Sequence, residues 1–179
     1  MRYKFLEQII NYDGSQLKPH FIYETCEFLE DSIVAFKGKC NVKKEFMIDK
    51  EDLIHGHDIY STAMLHFICE IFFDDIKTIV LRQRILIDIV KSCLLKLHPN
   101  IERKNTDLFI NDKKLSISIA TVSKISGLIH LGLNIEDKDT PVPVSTIATD
   151  PKKLANEIMK KFTEEMKYLK HTMRKVKTL

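Results

Sequence analysis

The first group of residues that could do chemistry is a polar run around a glycine at positions 37–41, with the sequence KGKCN. Two ammonium groups beside a glycine can hold a phosphate or carboxylate, because lysine supplies mobile charge and glycine permits close backbone approach. We expect this run to follow a buried strand, as an anion-binding turn or as an ordinary solvated turn. Its candidate residues are Lys37, Gly38, Lys39, Cys40 and Asn41.

Within this run, Cys40 is a candidate nucleophile. The neighbouring Lys39 is expected to favour the thiolate and so to lower the pKa of the thiol. A nucleophile also needs an adjacent base, and the sequence assigns none. A reactive cysteine and a structural one both remain open.

A second group lies at positions 113–123, with the sequence KKLSISIATVS. Strict alternation predicts one strand over 114–122, with Lys114, Ser116 and Ser118 on the same face. Such a face fits the floor of a binding site, and it fits the solvent-exposed side of an edge strand equally well. On the next predicted strand, His130 shares a face with Asn134 and is expected beside that floor, as a proton carrier or as a structural histidine.

Several histidines have spacings that resemble metal motifs. His55 and His57 form a His-x-His pair, but zinc needs further ligands from elsewhere in the fold, and we interpret the pair as polar loop residues. His66 and Glu70 lie four apart on a predicted helix, where they can act as ligands or pair with each other. We predict no metal site.

Missing motifs and modest charge exclude several classes of protein. The sequence has no GxxxxGK[ST], GxGxxG, HExxH or GxSxG pattern, which excludes P-loop NTPases and Rossmann dehydrogenases as good candidates. The net charge is only +3, so nucleic-acid binding is not expected, although the basic end of the last helix leaves it as a minor alternative. Cysteines without a CxxC pair, short apolar runs and no signal-peptide pattern predict a cytoplasmic protein without a membrane anchor.

The elements that must position these residues follow from hydrophobic periodicity. In the first half we predict a strand over 2–11, a helix over 17–28 capped by Ser15, and a buried strand over 31–42. Two helices follow, the first from Ser61 or Thr62 to Phe73 and the second over 76–97.

The second half begins with three predicted strands at 108–110, 114–122 and 127–135, arranged as an antiparallel meander. Asp150 and Pro151 then start a long amphipathic helix within 149–179. The composition, with 44% hydrophobic residues, fits one α+β domain over 1–179. The apolar stripe of the last helix and an open sheet edge predict a homo-oligomer.

Five separated blocks resemble a largely archaeal family known only as a domain of unknown function. They are YDGS at 12–15 with His20, FKGKCNV at 36–42, HFICEIF at 66–72, KLSISIATVS at 114–123 and IH at 129–130. That family is similar in fold to the biotin and lipoate protein ligases. The resemblance therefore implies a mixed or antiparallel sheet packed against helices, with a long C-terminal helix.

The resemblance also implies roles for individual residues. The stretch DLFINDKKLS at 107–116 looks like the ligase segment whose lysine contacts the acyl carbonyl and phosphate of the acyl-adenylate, which makes Lys114 its counterpart. The chain departs from the ligases in having Ile117 after this lysine, and in offering only residues 37–39 in place of their Arg- and Gly-rich loop.

Two functions follow as expectations. One is an acyl or carboxylate ligase, or an acyltransferase, that activates a small acyl group, with ATP and magnesium implied by the family analogy. Its catalytic residues would be Lys114, Lys39, His130 and Cys40, and its cofactor-binding residues would be Lys37, Gly38, Asn41, Ser116, Ser118 and His20. The other is a small-anion binding module without turnover, or a subunit of a homo-oligomer.

Overall fold

A computed structural model describes residues 1–56, 59–136, 144–147 and 149–177. Its eight strands in chain order are β1 (Arg2–Phe5), β2 (Ser32–Asn41), β3 (Tyr60–Phe72), β4 (Ile101–Lys104), β5 (Asp107–Ile110), β6 (Lys113–Lys114), β7 (Ser116–Val122) and β8 (Ser126–Asn134). Its α-helices are α1 (Phe21–Cys26), α2 (Lys50–His55), α3 (Ile76–Leu94) and α4 (Pro151–Lys175), with a short 3-10 helix at Lys44–Phe46.

Five strands form the main sheet, in the order β1-β2-β3-β8-β7. β1 runs parallel to β2, and the other neighbours are antiparallel. The predicted strand over 2–11 is shorter than expected, because it ends at Phe5. The chain nevertheless continues beside β2, where the amides of Leu6, Ile10 and Tyr12 donate to carbonyls of β2.

One face of this sheet is covered by α3 and α4, which pack against each other and against the strands. Both helices were predicted, and α4 begins as expected, with the Asp150 carboxylate accepting from the Lys153 amide and Pro151 in the first turn. The core between helices and sheet is apolar, and its fully buried side chains include Phe67, Leu86, Leu131 and Phe162. This layer supports the sheet beneath its opposite face.

The opposite face carries a second apolar cluster, centred on Phe36, Met64 and Ile68. The N-terminal segment and α1 cover only part of it. Ser15 does not cap this helix, because its hydroxyl and amide both bond to Asp13 in a local turn, and α1 begins only at Phe21.

The prediction of a helix from Ser61 or Thr62 to Phe73 is wrong, because this segment is β3. β3 lies at the centre of the sheet and is buried on both faces, so its apolar residues occupy both parities. A strand without alternation cannot be distinguished from a buried helix by periodicity, and the spacing of its apolar residues also fits a helix.

The predicted meander is partly wrong, since its strands belong to two sheets. β4, β5 and β6 form a separate three-stranded antiparallel sheet. The expected turn at Asn111 and Asp112 is present, with φ of 49° and 60°, values typical of a tight hairpin turn. The chain crosses into the main sheet at Leu115, so Lys114 belongs to β6 and the predicted strand over 114–122 is divided.

The mixed sheet, its helices and the long C-terminal helix confirm the predicted α+β fold. No helix within the described ranges is both long and apolar enough to cross a bilayer.

Candidate functional site

A cavity of about 680 Å³ opens on the sheet face that the long helices leave free. This volume lies within the range of about 300–1,000 Å³ that small-molecule sites occupy. Part of its wall is apolar and includes Leu17, Val42, Phe46, Ile59, Met64, Ile117 and Ile119. The main sheet supplies the floor, and the segment that contains the 3-10 helix and the start of α2 supplies one rim.

The small sheet forms the opposite rim and brings a cation to the cavity. Lys114 is half-exposed there, and its ammonium lies 2.8 Å from an Asp107 carboxylate oxygen. Lys104 also lines the cavity, and its ammonium lies 3.0 Å from Asp112. The rim therefore has two ammonium groups, each held by a carboxylate of the same sheet.

Near Lys114, buried amide and hydroxyl groups fix the junction of the two sheets. The Ser61 hydroxyl donates to Asn134 Oδ1 at 3.0 Å, and Asn134 Nδ2 donates to the Lys114 carbonyl at 3.4 Å. The Asn134 amide bonds to the Leu115 carbonyl. These bonds hold the backbone of Lys114 against the main sheet.

Two buried histidines, His66 on β3 and His130 on β8, lie on the cavity face of the main sheet. Their side chains point away from the helices. His66 Nδ1 is 3.0 Å from His130 Nε2, and His66 Nε2 is 3.3 Å from the Gly38 carbonyl oxygen. The Tyr12 ring stacks on His130 with centroids 3.7 Å apart, and the Phe36 ring stacks on His66 with centroids 5.2 Å apart. The rings form one stacked group, of which Tyr12 and His130 line the cavity.

Burial keeps this group neutral. It lowers the pKa of His66 to about 4, against the opposing effect of backbone hydrogen bonds. It also lowers the pKa of His130 well below its usual value, and the neighbouring His66 adds to this effect. Burial raises the pKa of the Tyr12 hydroxyl, with further contributions from Cys40 and Asp13. A general base that must gain a proton near neutral pH is therefore a poor description of His130.

Among the predicted site residues, Lys114, Ser116, Ser118 and His130 line the cavity. The expectation that Lys114, Ser116 and Ser118 share one strand face is wrong. Ser116 and Ser118 pair with Leu133 and Leu131 of the helix-covered face, whereas His130 pairs with Ile119 on the open one.

The two serine hydroxyls already have protein partners. Ser116 Oγ accepts from the Leu108 amide at 2.8 Å. Ser118 Oγ accepts from Gln83 Nε2 at 2.9 Å and donates to the His130 carbonyl at 3.0 Å. Their contribution to the site is therefore to join β7 to β5, β8 and α3.

The run at 37–41 lies inside β2, so the prediction of a turn at the end of a strand is wrong. Lys37 and Lys39 are exposed and alternate with the buried Gly38 and Cys40. Gly38 accommodates the N-terminal segment, since a Cβ there would lie 1.8 Å from the Ile10 carbonyl oxygen. None of the residues in this run lines the cavity: Lys37, Gly38, Lys39, Cys40 and Asn41.

Cys40 has the environment of a structural cysteine. It is fully buried in the apolar cluster, and burial raises the pKa of its thiol to about 12. The expectation that Lys39 lowers this pKa is therefore wrong, because desolvation of the thiolate outweighs a cation whose side chain is exposed.

His20 also lies away from the cavity lining. It stands at the start of α1 with φ of 65°, and its amide lies 3.1 Å from both carboxylate oxygens of Glu70. Glu70 is buried and also accepts from the Ser126 hydroxyl at 2.7 Å. His20 and Glu70 thus connect α1 to β3 and β8.

No group of three or more metal-ligating side chains occurs in the described part of the chain. His66 and Glu70 lie on a strand rather than on the predicted helix, and their partners are those given above. Of the His-x-His motif, His55 ends α2, and His57 lies outside the described residues.

Tyr12 and Asp107 line the cavity but were not among the predicted site residues. The block at 12–15 carries part of the family resemblance, and nothing local indicated that Tyr12 would lie beside Cys40 and reach the ring of His130. Asp107 precedes the predicted strand at 108–110 and was not weighed as a partner for Lys114. Asp107 and Lys114 lie seven residues apart on the two sides of a predicted hairpin turn, and this spacing could have indicated the ion pair.

The sequence and the fold were compared with known proteins. A family model described as "Domain of unknown function (DUF366)" matches residues 1–177. The chain belongs to this family. An uncharacterized protein of Methanocaldococcus jannaschii is 36% identical over 140 residues, which are 75% of this chain and 63% of that protein.

Solved structures extend this comparison. A protein of unknown function from Pyrococcus horikoshi superposes on this DUF366 chain with a TM-score of 0.91 and 36% identity, covering 99% of each chain. The biotin protein ligase of Aquifex aeolicus in complex with biotin and ATP gives a TM-score of 0.63 at 16% identity, covering 95% of this chain and 72% of the ligase. A proposed lipoate protein ligase of T. acidophilum gives 0.60 at 14% identity, covering 92% and 85%. At these identities the ligases share the fold, which confirms the predicted ligase-like architecture.

Proposed function

We propose that this DUF366 domain binds a small carboxylate or acyl compound in the cavity, with Lys114 against its charged end. The observation that carries the proposal is a half-exposed ammonium at the rim of a cavity of about 680 Å³ whose lining combines polar and apolar side chains. An apolar wall favours the hydrocarbon part of such a ligand, and an ammonium favours its carboxylate.

The ion pair of Lys114 at this rim can exchange its carboxylate partner for that of a ligand. The Lys114 ammonium is held by Asp107, and both side chains retain solvent contact. An ion pair of this kind is worth only about 0–1 kcal/mol, so a ligand carboxylate can replace Asp107 at small cost. The ligase structures that share the fold include complexes with biotin and with lipoic acid, both small carboxylic acids, which supports the same class of ligand.

Activation of the ligand by ATP stays a separate prediction. The run at 37–41 does not form a phosphate-binding loop, because it is part of β2 and the open side of Gly38 is filled by the Ile10 carbonyl. We derive no nucleotide step from these residues. Binding without turnover is therefore the function that the cavity supports best, and a homo-oligomer built on this domain stays a prediction.

The decisive experiment measures binding of hexanoate, octanoate, decanoate, biotin and lipoate by calorimetry and thermal shift. We expect at least one of these acids to bind, and Lys114→Ala to weaken that binding by roughly tenfold or more, since it removes the charged partner. The matched control is Lys113→Ala, which removes an adjacent exposed lysine that does not line the cavity.

The same titrations with Mg-ATP separate a ligase from a binding module. Pyrophosphate exchange that depends on both the acid and Lys114 would establish activation. Binding of the acid without exchange would leave a binding module. If no acid binds, or if the two lysine variants behave alike, the proposed function is wrong.

A further inference from the structure

The cavity has two chemically different ends along β8. Asn134 lies beside the Lys114 carbonyl, and His130 lies four residues earlier on the same strand. At about 3.3 Å per residue this places the two positions roughly 13 Å apart. Both Lys114 and His130 line the cavity, so a ligand that spans roughly this distance can meet Lys114 with its carboxylate and His130 with its other end.

Hydrogen-bond direction fixes the tautomers of both histidines. The Gly38 carbonyl only accepts, so His66 Nε2 carries the proton in that contact. Because His66 is neutral, its Nδ1 is then an acceptor, and His130 Nε2 must donate to it across 3.0 Å. The neutral His130 ring is left with a bare lone pair on Nδ1.

Within the described residues, that lone pair has no protein partner. His130 lines the cavity, and its Nδ1 has no hydrogen-bond partner in the described part of the chain. The side chains between the two ends, Met64, Ile117 and Ile119, offer no acceptor of comparable strength. The amide oxygen of Asn134 already accepts from Ser61.

We propose that His130 Nδ1 accepts a hydrogen bond from the ligand, so that the cavity selects an acid with an N–H or O–H donor at the end away from Lys114. The carboxylate end of this assignment rests on the proposed function. His66 acts as a positioning residue, because its bond to the Gly38 carbonyl sets the tautomer of the pair. The Tyr12 ring stacks on one face of His130 and holds its plane.

The first test needs no ligand. Long-range proton–nitrogen NMR of ¹⁵N-labelled protein at neutral pH distinguishes the tautomers of each imidazole. We expect both His66 and His130 to be neutral with the proton on Nε2. A proton on Nδ1 of His130 would overturn the proposal whatever the protein binds.

The second test compares three probes of one chain length: octanoate, its ω-hydroxy acid and the methyl ether of that hydroxy acid. The hydroxy acid should bind roughly threefold to tenfold more tightly than the ether, which has an acceptor but no donor. His130→Phe, which keeps a flat ring against Tyr12, should abolish this preference. His171→Phe, at an exposed position on α4, should retain it.

The outcomes separate the two proposals. If the acids bind with dependence on Lys114 but the hydroxy acid and the ether bind equally, the proposed function stands and the role of His130 is wrong. If no acid binds, the proposed function is wrong, and octanol is then compared with methyl octyl ether. A preference for octanol with a shifted His130 Nδ1 resonance supports the acceptor, and equal behaviour overturns it.

Discussion

The two faces of the main sheet differ in how they use polar groups. On the helix-covered face, the Ser116 hydroxyl accepts from a backbone amide, the Ser118 hydroxyl bonds to Gln83 and a backbone carbonyl, and the core is apolar. On the cavity face, His130 keeps an acceptor without a partner among the described residues, and Lys114 is paired with the solvent-accessible Asp107. One face is built for stability, whereas the other retains groups that can still bind.

The largest expected effect tests the stability role of the helix-covered face. Phe162 of α4 is fully buried in that core, so Phe162→Ala should lower the free energy of unfolding by about 3–5 kcal/mol. Urea denaturation measures this change. Tyr168→Ala, on the exposed side of the same helix, should change stability by less than about 0.5 kcal/mol. Similar losses in both variants would contradict the two-face description.

A smaller effect is expected where the N-terminal segment crosses the edge of the cavity face. In Gly38→Ala the new Cβ would lie 1.8 Å from the Ile10 carbonyl oxygen, so the segment must move. We expect a loss of about 1–3 kcal/mol, typical of overpacking, measured by urea denaturation. The exposed neighbour serves as the control, since Lys37→Ala should be nearly neutral. A neutral Gly38→Ala would show that this approach does not constrain the fold.

The histidine pair should make the cavity face sensitive to acid. The pKa of His66 is about 4 in the folded protein and about 6.5 when unfolded, so the unfolded chain binds more protons between these values. Stability should therefore fall as the pH drops from 6.5 toward 4, at up to about 1.4 kcal/mol per pH unit for this proton. His130 adds to the fall, because its pKa is also lowered.

Urea denaturation at several pH values checks this slope, with His66→Gln as the test variant and His171→Gln as an exposed control. The test variant should have a shallower dependence on pH in this window. An unchanged slope in His66→Gln would mean that His66 does not titrate with the lowered pKa.

The smallest effect on stability is expected at the rim. Asp107→Asn removes the partner of a half-exposed lysine, so the free energy of unfolding should change by at most about 1 kcal/mol. The freed ammonium should bind octanoate more tightly, which calorimetry measures. Glu157→Gln is the control, since Glu157 pairs with Lys161 on α4 and neither residue lines the cavity. Weaker binding in Asp107→Asn would indicate that Asp107 positions Lys114 rather than competing for it.

Local patterns predicted those elements whose burial is one-sided. The amphipathic stripes of α3 and α4 each reflect one face against the core and one toward solvent, and the cap at Asp150 marks the start of α4. The same reasoning wrongly predicted a helix at β3, because both faces of this strand are buried. The prediction of one continuous strand over 114–122 missed its division, because the change of sheet at Leu115 does not interrupt the alternation of residue types.

The candidate site shows the same limit. Lys114 and His130 were predicted as site residues, and the structure places both at the cavity, where their functional roles stay predictions. The run at 37–41 had comparable chemical promise, but it lies in β2 with Gly38 beneath the Ile10 carbonyl. Residue types show which chemistry is available. They do not show which of these groups already have structural partners in the folded protein.

The sequence by itself determined the family, the α+β class and the long terminal helix, because these depend on blocks and periodicities that are local in the chain. Only the tertiary structure decided that His66 and His130 would bond to each other beneath Tyr12, and that Lys114 would face Asp107 across a hairpin. These contacts join strands that are distant in sequence or depend on the register of a turn. Burial and hydrogen-bond direction, which set the chemistry of the cavity, exist only after those strands have paired.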